Sequence, residues 1–218
     1  MKLRNLLLQI TAIFVVIFSI SCQTGSDDEE TFQEGAKVID GCTYLYTKEI
    51  VILVKAEKNI TTVNIPEGVI SIRNDVFSEC NTLTSLTIPT SVKSIDDWAF
   101  WGCRSLATFD VHENNLLYSS SEDKKILFNK DKTILIAYPT ATDTVEIPDG
   151  VTNIGVGAFN YCCNLTELTI PASVTSIGNL AFTCCYNLKT VNYKGTQDQW
   201  KNISGSDSLK NITINYGK

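Results

Sequence analysis

Histidine and basic clusters are nearly absent from this chain. One histidine, His112, and one methionine occur among 218 residues, and no run of basic residues exceeds two. Without a basic face there is nothing to displace the counterions of a nucleic acid. The balance of 18 basic against 24 acidic residues, net charge −6, excludes that partner class. With a single histidine, most metal sites and every Ser/His/Asp or Cys/His device would have to be built around His112, which lies near Asp110 and Glu113 and faces no positioned nucleophile in the sequence pattern. Adjacent carboxylates, Asp96-Asp97 and Glu122-Asp123, would point to opposite faces of an extended chain and read as solvated loop residues. The two glycines of "GVGAFN" (155–160) precede no long helix, so they read as turn chemistry rather than a phosphate loop. No constellation meets the first requirements of a catalytic site. The chain is read as a non-enzyme with neither metal nor cofactor.

A long apolar run of membrane-spanning length is also missing. Lys2 and Arg4 precede an apolar stretch from Leu6 to Ile20, too short for a comfortable span and placed as a secretory signal would be. It ends in "FSISC", where Cys22 follows the small residue Ser21. This resembles the lipobox of bacterial lipoproteins, although Ser19 stands where that pattern usually has leucine. The resemblance implies cleavage after residue 21 and acylation of Cys22, which would hold the protein on a membrane through its acyl chains. "QTGSDDEETFQEG" then reads as a polar tether. Its acidic run resembles the export signal that carries some anaerobe lipoproteins to the outer surface, implying an outer-membrane anchor facing the exterior.

What the chain has in abundance is repetition, and internal periods are sought before motifs. Ile-Pro occurs at 65–66, 88–89, 147–148 and 170–171, separated by 23, 59 and 23 residues. Around each copy the same positions recur: Val69, Val92, Val151 and Val174; Ile72, Ile95, Ile154 and Ile177; Phe77, Phe100, Phe159 and Phe182; Cys80, Cys103, Cys162 and Cys185; Leu83, Leu106, Leu165 and Leu188. In "LTSLTIP" (83–89), Leu86 and Ile88 are two apart and share one face of a short strand, which proline ends because it cannot donate to a ladder. "SVTSIG" (173–178) alternates again as a second extended run, and "AF..C..L" spaces apolar residues by three, as one helical or 3-10 turn would. A single copy cannot bury these residues, whereas stacked copies form a continuous core.

The pattern "L..L.IP.SV..IG..AF..C..L" resembles the BspA-like leucine-rich repeats of bacterial surface proteins, over residues 60–193 apart from one interruption. The resemblance implies a mainly β solenoid, a right-handed leucine-rich-repeat superhelix of 23-residue repeats with short helical or 3-10 turns. The expected organisation is signal 1–21, tether 22–37, N-terminal cap 38–59, repeats 60–111, insertion 112–144, repeats 145–193 and C-terminal cap 194–218. Within the insertion, Ile126 to Phe128 and Thr133 to Tyr138 flank the turn "NKDK" and predict a hairpin inside one elongated coil.

The repeat position itself accounts for the cysteines at 80, 103, 162 and 185 as small apolar core residues. A column of ligands forms a line, not the converging set that zinc needs. Neighbouring coils lie within disulfide reach, so bridges Cys80–Cys103 and Cys162–Cys185 stay open beside the favoured ladder of free thiols. Two surfaces are candidates for ligand binding. One is the outward face of the sheet, whose columns read Thr62, Ser85, Thr108, Glu167, Thr190 and Asn64, Thr87, Asp110, Thr169, Asn192. Threonine also suits exposed strands without any such role. The other is Trp98 and Trp101, indoles in slots that are polar or variable in the other copies; packing on the inserted hairpin is the competing explanation. The family resemblance implies adhesion or recognition of a surface protein or glycan of a host or neighbouring bacterium. An accessory subunit presenting polysaccharide in an outer-membrane assembly is the alternative.

Overall fold

Proline after each first strand, and a second short run of alternating residues beyond it, prevent any copy from forming one long strand. A computed structural model of the chain describes residues 35–48 and 50–217. It opens with an antiparallel meander, β1 (Gly35–Ile39), β2 (Cys42–Tyr46) and β3 (Val51–Ala56). First and second strands then alternate: β4 (Thr62–Asn64), β5 (Val69–Ile72), β6 (Ser85–Ile88), β7 (Ser94–Ile95) and β8 (Thr108–Val111). The insertion supplies β9 (Tyr118–Ser120), β10 (Leu127–Asn129) and β11 (Ile134–Ala137). Alternation resumes with β12 (Asp143–Glu146), β13 (Asn153–Ile154), β14 (Leu165–Ile170), β15 (Ser176–Ile177) and β16 (Thr190–Tyr193), followed by a short helix α1 (Gln197–Lys201) and β17 (Thr213–Tyr216).

First strands stack in parallel as β4-β6-β8 and β12-β14-β16-β17, and second strands as β3-β5-β7 and β11-β13-β15. Within the regular repeats, partners in successive coils are 23 residues apart, as in the Thr87–Asn64 side-chain bond, whereas β3–β5 and β11–β13 pair residues 18 or 19 apart. Inside the first-strand sheets Val63, Leu86 and Phe109 and then Val145, Leu168 and Val191 form the buried ladder. Each fully buried leucine or phenylalanine of this kind stabilises the stack by about 2 kcal/mol relative to exposure.

The third side of each coil before α1 carries the 3-10 kind of turn, one of the two forms expected, and no helix. Bonds of the 3-10 kind are present, such as Ser78 N–H to Asp75 O, Cys80 N–H to Phe77 O and Leu83 N–H to Cys80 O. They never join into a helix, because two residues per coil adopt left-handed backbone: Asp75 and Glu79, Trp98 and Gly102, Gly157 and Tyr161, Leu180 and Cys184. A left-handed residue every four positions resets the chain direction, so the segment is a train of turns.

The insertion is more than a hairpin. β10 pairs antiparallel with β11, as the turn "NKDK" predicts, and also with β9. By repeat position, His112 takes the proline slot, Asn115 the valine slot and Tyr118 the isoleucine slot; Asn115 N–H donates to His112 O as the valines donate to their proline carbonyls, and His112 N–H donates to Ile88 O, a bond that proline cannot make. The coil's second strand β9 therefore folds back as β10 and returns as β11, which resumes the stack beside β13. Alternation from Ile126 into β10 places Leu127 in the N-terminal core and Ile126 and Phe128 in the C-terminal one. The inserted strand is thus the wall between two cores, buried on both faces.

After β16 the chain continues the solenoid instead of merely covering it. Helix α1 starts with a reciprocal capping box between Thr196 and Gln199 and buries Trp200 against Tyr193, ring centroids 5.2 Å apart. Ser204 then bridges Ser176, and β17 pairs with β16 over four residues.

Candidate functional site

On the outward sheet face, Thr62, Ser85 and Thr108 are in register, as are Asn64, Thr87 and Asp110. In the second half Glu167 is in register with Thr190, and Thr169 with Asn192. The structure does not join the two sets as the sequence columns imply. Thr144 and Glu146 of β12 stand between, adjacent to Glu167 and Thr169. Across the gap the backbone N–H of Phe109 donates to Lys124 O, 2.7 Å, and Lys124 Nζ pairs with Asp110 at 2.6 Å. The inserted loop therefore closes the first sheet, and the face is two polar strips instead of one. β17 extends the second strip with Thr213 and Asn215. Side chains along the strips bond one another: Thr87 Oγ1 to Asn64 Oδ1 (2.9 Å), Asn215 Nδ2 to Asn192 Oδ1 (2.8 Å), and Asn192 Nδ2 to Glu167. Such ladders lie in lines and converge on no point.

The thiols behave as repeat residues. Cys80, Cys103, Cys162 and Cys185 each donate to a backbone carbonyl of the preceding coil: Glu57 (3.6 Å), Phe77 (3.0 Å), Tyr138 (3.2 Å) and Phe159 (3.0 Å). All seven cysteines of the described residues are free. Burial pushes the Cys103 thiol well above its ordinary range and Cys42 up to about 11. Cys162 is held up by its hydrogen bond with Cys185 and by burial, and that bond lowers Cys185. Cys163 and Cys184 are off this column, Cys184 sharing the left-handed slot of Tyr161. No group of three or more His, Cys, Asp or Glu among the described residues is placed to hold a metal ion.

The tryptophans occupy the junction of the two halves. From Leu135 to Tyr138 the fourth coil takes a shorter path than the equivalent Ile154 to Phe159, since Tyr138 N–H bonds Ala158 O just as Phe159 N–H bonds Ala181 O. The shortened turn leaves room that the flanking coils fill. Trp98 and Trp101 meet edge to face at 5.2 Å, Trp101 meets Tyr161 at 5.6 Å, and Arg104 lies 4.1 Å above the Tyr161 ring. Asn160 reaches across to accept the Gly102 N–H at 2.8 Å. Gly157 is required twice: its φ is +61°, and a Cβ there would stand 3.2 Å from the Trp98 ring. Beside the inserted strands a cavity of about 350 Å³ remains, with Trp98, Leu117, Ile134, Ile136 and Val156 on its walls and Asp96 and Asp97 among its polar groups. Both tryptophans are half-buried and border this space, so the inserted strands face them across a cleft. Tyr161, Arg104 and Asn160 escaped the sequence reading because the short fourth turn that unites them with the indoles has no marker of its own.

Cys22, the signal and the tether as far as residue 34 lie outside the described residues; the last three residues expected in the tether, 35–37, belong instead to β1, where they pair with β2. No described helix is long and apolar enough to cross a membrane.

Parallel coils 23 residues apart, with leucine, phenylalanine and cysteine ladders inside, define a leucine-rich-repeat solenoid. The chain belongs to the family of the BspA type leucine rich repeat region, which it matches in six copies over residues 55–125 and 137–217. It is similar to a leucine rich cell surface protein of Faecalibacterium prausnitzii A2-165, with 28% identity over 78% of this chain and 42% of that one and a TM-score of 0.50. The chain thus spans about two fifths of that protein's crystallised length. It also aligns with a Treponema pallidum leucine rich repeat protein (20% identity, 83% of this chain and 81% of that one, TM-score 0.46). A leucine-rich repeat protein of Bacteroides ovatus ATCC 8483 aligns at 23% identity over 72% and 46% of the two chains, TM-score 0.45. No curated protein matches.

Proposed function

We propose that this protein is a non-catalytic binding module, tethered by acyl chains on Cys22 to the outer membrane and facing the cell exterior, where it takes a protein or glycan of a host or neighbouring cell in adhesion or recognition. The observation that carries the binding role is the cleft beside the insertion, an apolar concavity with a few polar groups at the junction of two cores. The polar strips support the non-catalytic part, because their side chains run in ladders and bond each other. Membership of a repeat family with a bacterial cell surface protein among its structural neighbours supports the location.

The test is retention of partners by the purified full chain from host extracts, set against retention from the organism's own membranes. An adhesin holds a matrix or surface component from the first. Co-purification with an outer-membrane assembly would instead establish the accessory-subunit reading. Turnover of glycans by the purified chain without added partners would overturn the non-catalytic reading.

A further inference from the structure

We propose that the cleft beside Trp98 takes a lysine or arginine side chain from a basic segment of a protein partner. This deepens the binding-module reading and rests on it. None of the residues lining the cleft is lysine, arginine or histidine, and its walls are mainly apolar and aromatic. Its charged groups are two carboxylates. Asp96 lies 3.5 Å from Arg73, whereas exposed Asp97 has no ion pair among the described residues. The side-chain amides that could grip sugar hydroxyls are each held by one donated and one accepted bond within the chain, which fixes their orientation. Asn160 accepts the Gly102 N–H and donates to Gly157 O; Asn129 donates to Thr133 Oγ1 and accepts the Ile134 N–H. What remains is aromatic surface and negative charge. That pair fits a cationic head on an apolar stem: the stem lies along Trp98, Leu117 and Ile134 while the head meets Asp97.

Other occupants fit less well. The chain's own acidic run, Asp27 to Glu30, has the same sign as the cleft carboxylates. A second copy, with net charge −6, would also approach against like charge. The same field steers a basic partner inward and makes its capture sensitive to salt.

The test titrates the detergent-solubilised full chain with a short peptide alternating arginine and serine, followed by tryptophan fluorescence and calorimetry. A glutamate–serine peptide and a neutral oligosaccharide serve as comparisons. Saturable binding of the arginine peptide alone, weakened by salt, is expected. Asp97→Asn should weaken it about fivefold and Trp98→Ala about tenfold. Asp97 is exposed, so its variant keeps the parent melting curve and separates lost charge from lost fold. The proposal is overturned if both variants bind the peptide as the parent does, or if the oligosaccharide binds in a Trp98-dependent way and the peptide does not. Undiminished capture of partners from extracts by both variants would overturn the cleft assignment and leave the binding module standing. A parent chain that captures nothing would overturn both.

Discussion

Restoring the repeat's own residue at position 115 should harm this protein. Asn115 occupies the slot held by Val92, Val151 and Val174, and it is fully buried. Its Nδ2 donates to Pro89 O at 2.7 Å and Val92 O at 3.3 Å, and its Oδ1 accepts the Leu117 and Tyr118 N–H groups at 2.9 Å each. Asn115→Val leaves those four backbone groups without their partner, at about 1 kcal/mol each. The added apolar burial returns roughly 1 kcal/mol. A net loss of about 3 kcal/mol is expected, which lowers Tm by about 10 °C in a domain of this size. Circular dichroism melting of parent and variant measures the loss. Hydrogen exchange locates it, because repeat proteins open in parts: the Leu117 and Tyr118 amides should lose protection first. A variant as stable as the parent, or more so, would refute the claim that Asn115 anchors the insertion to the preceding coil.

Other outcomes follow from the same geometry. Cys22→Ser should shift the protein from the membrane to the soluble fraction, and continued membrane retention would refute acyl anchoring. In native protein near neutral pH, a thiol reagent should modify half-buried Cys163 and Cys184 ahead of Cys42, Cys80 and Cys103, and mass mapping of the adducts would show the reverse order if the ladder were open. The Cys42 thiol rises from its ordinary 9.0 to about 11 on folding, mainly through burial. The folded chain therefore keeps a proton that the unfolded chain releases, and stability, full below pH 9, should fall as pH rises towards 11; urea melts across that window read it, and Cys42→Ala should make the slope shallower without abolishing it, because the buried Cys103 and Cys162 thiols are raised too. Gly178→Ala should destabilise by about 2 kcal/mol, because its Cβ would stand 2.5 Å from Val156 N and 2.6 Å from Gly155 C in the neighbouring coil. Parent-like urea unfolding of that variant would refute such close backbone stacking.

Much of the site was written in the sequence, and some of it went unread. "TVNY" (190–193) and "TINY" (213–216) are 23 residues apart and announce β17 as another coil strand. "TVEIP" (144–148) likewise repeats "TVNIP" (62–66) and announces β12, which the proposed columns skipped. The left-handed slots were not legible, since Asp75, Trp98, Gly157 and Leu180 share no chemistry, only a backbone angle. Nor was the double burial of β10, because alternation along "ILFN" shows two faces and not which cores they meet.

The sequence by itself determined the repeat: the 23-residue period, the strand ends at proline, the buried ladders and the thiol column. Each follows from local periodicity, which copies itself from coil to coil. Only the tertiary structure decided where that periodicity breaks. It divided the polar face at Lys124, set the inserted strand between two cores, and brought Trp98 and Trp101 to Asn160 and Tyr161 across a shortened turn. The contacts around the tryptophans join residues about 60 positions apart. They depend on how two stacks meet, which no single coil encodes.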